Sequence, residues 1–543
     1  MTATPNGGRV QQRRSAWRRL PARLQAALAV LPVATLLACS GSATRSDTGT
    51  GSAAGRAAGA AAALPVFHRD DMLWLERVTF GLDSVSVAEY RRLGRERYLD
   101  RQLASQDIAP PPIAAAIDSL EVTHADAQQL LIEVNTQNKA INAMPDGADK
   151  DQARKALNDR GNKLAYEAAR RELLRAVYSP SQLKEQMVWF WLNHFSVHQN
   201  KANLHWLVAD YAERAIRPHA LGRFRDLVLA TLEHPAMLQY LDNSQNAVGH
   251  VNENYARELM ELHTLGVDGG YTQQDVQQLA RVLTGVGINI GNAPKLKPEW
   301  QALYRRSGAF EFNPARHDFG AKVLLGHAID GRGFAEVEDA VTLIVKQPAC
   351  ARFVSRQLAS YFVADNPPPQ LVERMTQTFL RTDGDIAAVL RTLFLAREFN
   401  ASLGGKFKDP MRFVVSAVRF SYDGRPITNT RPLLNWLNGL GEAPFAHPTP
   451  DGYPLTELAW ASSGQMSRRF EIARQIGSGN AGLFDPEDGG AAVASGFPQL
   501  SNRLYFEGVE PFLAARTRTA LDRANSQQEW NTFLLSSPDF SYE

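Results

Sequence analysis

The sequence is poor in cysteine, in long apolar runs and in clustered positive charge, and each shortage excludes a class of protein. Two cysteines among 543 residues are too few for a disulfide framework or a multi-thiolate metal site. The main apolar segment, residues 24–38, is shorter than the about 20 residues of a spanning helix, and Pro32 interrupts it. With 44% hydrophobic and 21% charged residues, the chain is neither disordered nor a polytopic membrane protein.

Positive charge is concentrated at the N-terminus. The first 38 residues contain six arginines and no acidic residue, and the rest carries 53 basic and 57 acidic side chains, a net charge of −4. A body without a dense Lys/Arg stripe has no electrostatic footprint for nucleic acid, so we exclude that partner. The motifs of nucleophile-elbow hydrolases, P-loop and dinucleotide-binding proteins and c-type cytochromes are absent, so no cofactor is indicated.

The N-terminus has the sequence pattern of a targeting signal. Six arginines followed by the apolar segment predict an export signal over residues 1–38, by either the general or the twin-arginine route. Leu36-Leu37-Ala38-Cys39 resembles a bacterial lipobox and predicts lipidation of Cys39 and an envelope location, with an ordinary secretory signal as the alternative. Residues 39–63, rich in Ser, Gly and Ala, are expected to form a flexible tether.

Residues 64–543 show mainly helical periodicity and predict a large, mostly α domain. Gly, Pro and Asn cluster at 287–335, which suggests a junction between two helical lobes. The clearest strand signal lies at 308–326, where two apolar runs flank a polar turn and predict a short irregular β-hairpin. Residues 484–500 have the composition of a long surface loop.

Three sequence patterns mark helix starts. Thr272-x-x-Asp275 has the spacing of a capping box, and Asp409 precedes a proline at the first helical position. Ser179-Pro180 combines both signals, with Gln182 three residues after the serine. We therefore expect helices to begin directly after Thr272, Ser179 and Asp409.

The densest polar cluster lies in residues 252–263. Its carboxylates and its arginine fall on one stripe or the adjacent one of a helix whose other positions are mostly apolar, and Asn252 precedes them; they are Glu253, Asn254, Arg257, Glu258 and Glu261. A buried strip of this kind would have shifted pKa values suited to acid–base catalysis. The alternative is a solvated ladder of ion pairs on a surface helix.

Histidines supply two further candidates. His194 and His198 are four residues apart on an apolar helix and could face one metal ion, although the HExxH pattern is absent and core histidines are the commoner case. His317-Asp318, with Lys322 after it, could present an imidazole and a carboxylate to one cavity. The alternative is a loop held together by its own side chains.

Residues 447–460 contain Tyr453 and Trp460 close to Asp451. Exposed aromatic rings beside a carboxylate suit carbohydrate stacking. Pro-Asp-Gly-Tyr is equally the composition of a plain turn.

Several segments, taken in order, resemble the bacterial domain-of-unknown-function 1800 family. The matching stretches are 74–103, 188–201, NENYARELMELHTLGVDGGYTQQDVQQLARVLTG at 252–285, 312–326, Lys408-Asp409-Pro410 and PTPDGYP with Trp460 and Arg468. The resemblance implies an exported, helix-rich protein, often encoded beside a sulfatase-like partner, without an established activity. It also supports as site residues His194, Asn252, Glu253, Asn254, Arg257, Glu258, Glu261, His317, Asp318 and Lys322. Tyr453 departs from the family's usual tryptophan.

Three hypotheses follow. The first is a lipid-anchored hydrolase of extracytoplasmic glycans or of sulfated or phosphorylated esters. Its acid–base residues would be Glu258, Glu261, His317 and Asp318 in one cavity. Arg257 would bind an anionic group of the substrate. The full set of expected substrate-binding residues is His194, Asn252, Glu253, Asn254, Arg257, Lys322, Tyr453 and Trp460. The second is a non-catalytic scaffold or binding lipoprotein that works with the sulfatase-like partner. The third is a metalloprotein that uses His194 with carboxylates of the helix predicted at 252–263.

Overall fold

The structure, a computed structural model, describes residues 67–104, 109–487, 490 and 496–543. The predicted export signal, the lipidation site Cys39 and the tether at 39–63 lie outside the described residues. Within the described residues, no helix is both long and apolar enough to span a membrane. The described part of 484–500 contains no helix or strand, as expected of a loop.

Twenty-seven α-helices make up most of the described chain and confirm the mostly α prediction. Those before the first strand are α1 (Arg69–Val78), α2 (Ser84–Leu93), α3 (Arg95–Leu103), α4 (Pro111–Asp118), α5 (Glu121–His124), α6 (Ala127–Ala143), α7 (Ala148–Tyr178), α8 (Gln182–His194), α9 (Val208–Asp210), α10 (Phe224–Leu232), α11 (Pro235–Tyr240), α12 (Asn254–Glu258) and α13 (Gln273–Val282). Those after it are α14 (Pro298–Gln301), α15 (Phe334–Val345), α16 (Pro348–Phe362), α17 (Pro369–Arg381), α18 (Ile386–Phe394), α19 (Arg397–Ala401), α20 (Pro410–Tyr422), α21 (Arg431–Leu440), α22 (Glu457–Trp460), α23 (Ser463–Gly477), α24 (Arg503–Gly508), α25 (Ala515–Asp522), α26 (Gln527–Leu535) and α27 (Pro538–Ser541).

Two of the three predicted helix starts are confirmed. The Thr272 hydroxyl accepts from the Asp275 amide while the Asp275 carboxylate accepts from the Thr272 amide, a complete capping box before α13. The Asp409 carboxylate accepts from the amide of Arg412 at 2.7 Å and caps α20. The third start is two residues late, because α8 begins at Gln182 and its side-chain amide donates to Ser179 and Ala176 carbonyls instead of closing a box.

Two small antiparallel sheets lie between α13 and α15. The strands β1 (Val286–Ile288), β2 (Arg305–Ser307) and β3 (Phe310–Phe312) form one sheet in the order β1-β3-β2, with Phe312 opposite both Val286 and Arg305. The strands β4 (Lys322–Leu324) and β5 (His327–Ile329) form a hairpin.

The predicted segment 308–326 therefore contains strands, but its two apolar runs do not pair with each other. Phe310 and Phe312 are buried in the central strand of the first sheet, and a turn of 3₁₀-helix, Pro314–Arg316, leads the chain away from it. The second run, from Lys322, pairs with the residues that follow it. Pairing partners lay outside the segment, so local alternation alone could not identify them.

Residues Ala63–Glu543 form one compact unit. The expected junction at 287–335 overlaps both small sheets. The helix α8 is buried along nearly its whole length, as its apolar composition implies, and its Trp191 and Phe190 are 0% and 2% exposed. The core is thus continuous around α8.

Two helices widen into π-helical turns. The helix α9 continues into a π-helix over Tyr211–Ile216, and α12 continues into one over Leu259–Thr264. In the second, the amide of Leu265 donates to the Met260 carbonyl five residues earlier, at 2.8 Å. Such turns are often found at functional sites, and this one carries part of the acidic cluster predicted from the sequence.

Candidate functional site

His317 is buried inside the protein. Its ring is 3% exposed, Nδ1 donates to the Thr284 carbonyl at 2.7 Å, and Nε2 lies 2.6 Å from Oε1 of Glu336. The other oxygen of Glu336 accepts from Nζ of Lys322 at 2.7 Å. Both imidazole nitrogens are therefore occupied, and the expectation of a solvent-reachable acid–base histidine at this position is wrong.

Asp318 and Lys322 are likewise held by structural contacts. The Asp318 carboxylate forms a two-pronged ion pair with Arg281, at 2.8 and 3.2 Å, and accepts from the Gly320 amide. The hydrogen bonds from Arg281 hold the pKa of Asp318 below its usual range. Lys322 has no exposed side-chain surface and donates to Glu336 and to the Asp318 carbonyl. The loop is fastened by its own side chains, which was the alternative considered for it.

His194 is packed among aromatic rings at the end of α8. Its Nε2 donates to the backbone carbonyl of His263 at 2.9 Å, and the rings of Phe190, Trp191 and Phe195 surround it. Burial lowers the pKa of His194 to about 4. In the segment 252–263, His194 contacts a backbone carbonyl and not a carboxylate. This contact argues against the hypothesis that His194 and the carboxylates of that segment bind a metal. The described residues contain no group of three or more His, Cys, Asp or Glu side chains that could hold a metal ion.

The residues that open the acidic cluster fasten the start of α12. Asn252 accepts from the Asn254 amide, and the Asn254 side chain donates to the Leu241 carbonyl at 3.2 Å. Arg257 pairs with Glu253 at 3.1 Å and donates to the side chain of Gln273 at 2.9 Å. Arg257 is thus already engaged by a carboxylate.

Glu258 and Glu261 are the carboxylates of this cluster that have no ion pair or hydrogen bond among the described residues. Both are half-buried. Burial, then the neighbouring charge of Glu261, raises the pKa of Glu258, and Asp451 adds to the effect while Arg257 opposes it. Two carboxylates of one helical segment and a third from a distant part of the chain therefore share one region. We call Glu258, Glu261 and Asp451 the acidic face.

Asp451 connects the acidic face to a groove. Its carboxylate lies 3.2 Å from Nε2 of His447 and accepts from the Thr449 hydroxyl. Tyr240 lies beside the groove, because its hydroxyl donates to the Pro448 carbonyl at 3.0 Å. Burial and the charges of Asp451 and Glu258 raise the pKa of Tyr240 to about 12.

The groove has a volume of about 340 Å³, and we call it the aromatic groove; its walls include Asn438, His447, Pro448, Tyr453 and Trp460. Tyr453 is half-buried and stacks against Trp189. Trp460 is only 6% exposed, and its ring nitrogen donates to the Pro454 carbonyl. The expectation of two exposed stacking platforms is therefore not met by Trp460, while Tyr453 keeps part of its ring at the groove.

The structure brings together only part of the predicted site. Glu258 is close enough to Glu261 and to Asp451 of the 447–453 loop for their charges to affect its pKa, whereas the contacts of His317 are with Thr284, Glu336 and neighbouring aromatic rings. Sequence reasoning missed Glu336. It follows Gly333 at capping-box spacing, and its carboxylate accepts from the Gly333 amide, a signal that the sequence did contain.

A family model described as "Protein of unknown function (DUF1800)" matches residues 73–542. The chain belongs to the DUF1800 family. Comparisons with curated proteins and with solved structures return no match. The range matched to DUF1800 contains the acidic face, the aromatic groove and the sealed His317 cluster, so all three lie within the domain that defines the family.

Proposed function

We propose that this DUF1800 protein is an exported, lipid-anchored hydrolase of the cell envelope that cleaves neutral or amine-bearing glycans at the acidic face. Glu258 is the general acid, and Glu261 and Asp451 are the remaining carboxylates from which the base is drawn. The observation that carries the proposal is the unpaired, half-buried Glu258 carboxyl beside two other carboxylates.

A carboxyl group with a raised pKa can hold a proton near neutral pH and deliver it to a leaving oxygen. Glycoside hydrolysis requires one such acid and a second carboxylate that remains ionised, either as nucleophile or to activate water. The acidic face offers this asymmetry, because Glu258 has a raised pKa while contacts with Thr449 and His447 help hold the pKa of Asp451 below its usual range, against the effect of its burial. Two carboxyl groups with pKa values moved apart are the pattern from which acid and base roles are assigned.

The charge of the face selects among the substrates considered. A sulfated or phosphorylated ester would meet three carboxylates, and the arginine expected to bind it, Arg257, is already paired with Glu253. Repulsion of this kind disfavours anionic substrates. A neutral glycan, or one with free amines, has no such conflict and can lie along the aromatic groove against Tyr453.

The test uses purified protein and unmodified chito-oligosaccharides, whose sugar leaving group requires protonation, with cleavage followed by the new reducing ends and 4-methylumbelliferyl sulfate as the anionic comparison. We expect cleavage of the glycoside but not of the sulfate, and a loss of roughly 10²–10⁴-fold in kcat for Glu258→Gln. The Glu261→Gln variant removes a charge that raises the pKa of Glu258, so the alkaline limb of the pH profile should move to lower pH. Glu373→Gln, on an exposed ion pair of α17, is the matched control and should retain wild-type rates.

Full activity of Glu258→Gln, or an alkaline limb that Glu261→Gln leaves in place, would contradict the assigned roles. A lack of cleavage across neutral and amine-bearing glycans would contradict the hydrolase proposal itself.

A scaffold or binding lipoprotein remains the second candidate, and one observation favours it. The histidine, aspartate and lysine of the 317–322 loop all serve structural contacts, as a brace would require. Under this alternative, the protein binds the sulfatase-like partner implied by the family resemblance. Co-purification of that partner with both the wild type and Glu258→Gln, combined with absence of hydrolysis, would favour the scaffold.

A further inference from the structure

A second, enclosed pocket lies far along the chain from the acidic face, between α1 and the C-terminal helices. It has a volume of about 110 Å³ and walls that are both polar and apolar. Its apolar wall includes Met72, Leu73, Phe420, Leu513, Leu534 and Phe540, and these six side chains are all at least nine-tenths buried. The buried apolar wall is therefore contributed by both ends of the described chain.

Four charged side chains line this pocket, and they differ in whether they have partners. The carboxylate of Glu76 accepts from Nζ of Lys408 at 2.8 Å. The carboxylate of Asp539 accepts from the Ala514 amide at 3.2 Å and from the Thr517 hydroxyl. Both acids are thus satisfied by the protein.

The two cationic side chains of the pocket, Arg69 and Arg516, have no such partners among the described residues. Arg69 and Arg516 form no ion pair and no hydrogen bond with any described residue, and both are exposed. Both line the pocket and are exposed to solvent, whereas the six apolar side chains named above are buried, so we take the two arginines as the solvent-facing mouth. The pocket thus combines a buried apolar interior with two guanidinium groups that can still accept an anion.

We propose that this pocket binds a single-chain amphiphilic carboxylate, with the acyl chain inside and the carboxylate on Arg69 and Arg516. Guanidinium groups match the planar carboxylate and form charge-assisted hydrogen bonds to it. The apolar chain gains free energy when the chamber removes it from water.

The size of the chamber limits the chain. A cavity of about 150 Å³ accommodates benzene, so a chamber of about 110 Å³ receives a segment of about five carbons. An eight-carbon fatty acid, octanoate, can place its terminal segment inside while its carboxylate remains at the mouth. Longer acyl chains would need the mouth to open.

The position along the chain favours a lipid as the natural source. Arg69 is the first residue of α1 and lies 30 residues after Cys39. If Cys39 is lipidated, as proposed above, the protein is held at a membrane, where fatty acids are available. Octanoate binding itself does not depend on the anchor or on the proposed hydrolase.

The test is isothermal titration calorimetry of the full folded chain with octanoate, acetate and octyltrimethylammonium. We expect saturable octanoate binding with a Kd below about 1 mM, no detectable acetate binding and no octyltrimethylammonium binding at this pocket. Arg69→Gln/Arg516→Gln should weaken octanoate binding at least about tenfold, because two charge-assisted hydrogen bonds are lost. The matched control is Arg397→Gln/Arg523→Gln, two exposed arginines that do not line the pocket.

A second variant tests the chamber and leaves the charges in place. Val509 is half-buried in the pocket wall, and Val509→Phe should fill part of the volume and weaken octanoate binding at least about fivefold. Absence of saturable binding to the wild type would overturn the proposal. So would binding that both pocket variants leave unchanged, or equal affinity for octyltrimethylammonium.

Discussion

Burial is the main determinant of the protonation of two histidines in the core. His194 and His263 lie with ring centroids 6.1 Å apart, and neither nitrogen of His263 has a hydrogen-bond partner among the residues that the structure describes. Burial lowers the pKa of His194 to about 4 and, with a contribution from His194, that of His263 to about 3. Both rings are therefore neutral in the folded state at any pH above about 5.

This pair predicts acid sensitivity. Between the unfolded pKa of about 6.5 and the lowered folded value, the unfolded chain binds more protons than the native one, so the free energy of unfolding falls as the pH falls. Replacing the unpartnered ring in His263→Phe should reduce the loss of stability between pH 7 and pH 4 by roughly 3 kcal/mol. The measurement is urea unfolding at several pH values.

The exposed His327 is the control for this prediction. His327→Asn should leave the pH dependence as it is in the wild type. An unchanged slope in His263→Phe would mean that the pair does not contribute to acid sensitivity.

The sealed cluster predicts a large effect from a single lysine. Lys322→Met leaves the carboxylate of Glu336 buried without its cation, and breaking a buried ion pair in this way costs roughly 3–5 kcal/mol. Lys155→Met removes one partner of an exposed pair with Asp159 and should cost less than about 1 kcal/mol. Chemical denaturation of both variants gives the comparison. Equal effects would show that the cluster is more hydrated than its burial indicates.

At the scale of elements, two hydrogen bonds, which we call the clamp, hold the 447–453 loop against α8. The side chain of Asn193 donates to the Tyr453 carbonyl at 3.0 Å and accepts from the Tyr453 amide at 2.5 Å. Gly452 makes this approach possible, because its φ is +73° and a Cβ there would lie 2.3 Å from the Asn193 carbonyl oxygen. The turn containing Tyr453 therefore requires glycine at this position.

Gly452→Ala should destabilise the protein by more than about 2 kcal/mol and reduce glycoside cleavage, because the loop that carries Asp451 must move. Gly464 provides the matched control. It lies within α23 and a Cβ there would meet nothing within 4 Å, so Gly464→Ala should stabilise by about 0.5–1 kcal/mol. Thermal unfolding and cleavage rates test both. Wild-type behaviour of Gly452→Ala would contradict the clamp.

The same scale explains why the ladder predicted from the acidic cluster is incomplete. Regular α-helical spacing places Glu253, Arg257 and Glu261 on one stripe, and the first two do pair. After Glu258 the chain widens into the π-helix, so Glu261 no longer stacks one α-turn above Arg257. Arg257 turns to Gln273 instead. The widening depends on packing around the helix, which a 3.6-residue period does not describe.

At the scale of the whole molecule, the N-terminal address predicts where the folded domain resides. Cys39→Ser should abolish incorporation of labelled fatty acid and move the protein from the membrane to the soluble fraction, because the body contributes no spanning helix among its described residues. Cys350→Ala, at the buried free cysteine, should leave both labelling and membrane association unchanged. Membrane association of Cys39→Ser would indicate another anchor.

The helical class and the capped starts of α13 and α20 could be predicted, because hydrophobic period and capping depend on residues within a few positions of one another. The members of the candidate site could be predicted only as separate groups. Glu258 and Asp451 are each recognisable as acids in polar segments, but their proximity depends on how the 447–453 loop packs against α8 and Tyr240.

By itself, the sequence predicted an export signal, and it determined the mostly α domain and the membership of the DUF1800 family. Tertiary structure alone decided which polar side chains remained available. It paired His317 and Lys322 with Glu336, and it left Glu258 near Asp451 without an ion pair or hydrogen bond to any described residue. The physical reason is range. Helix formation is governed by neighbours along the chain, whereas burial and charge pairing are governed by neighbours in space that are tens to hundreds of residues away.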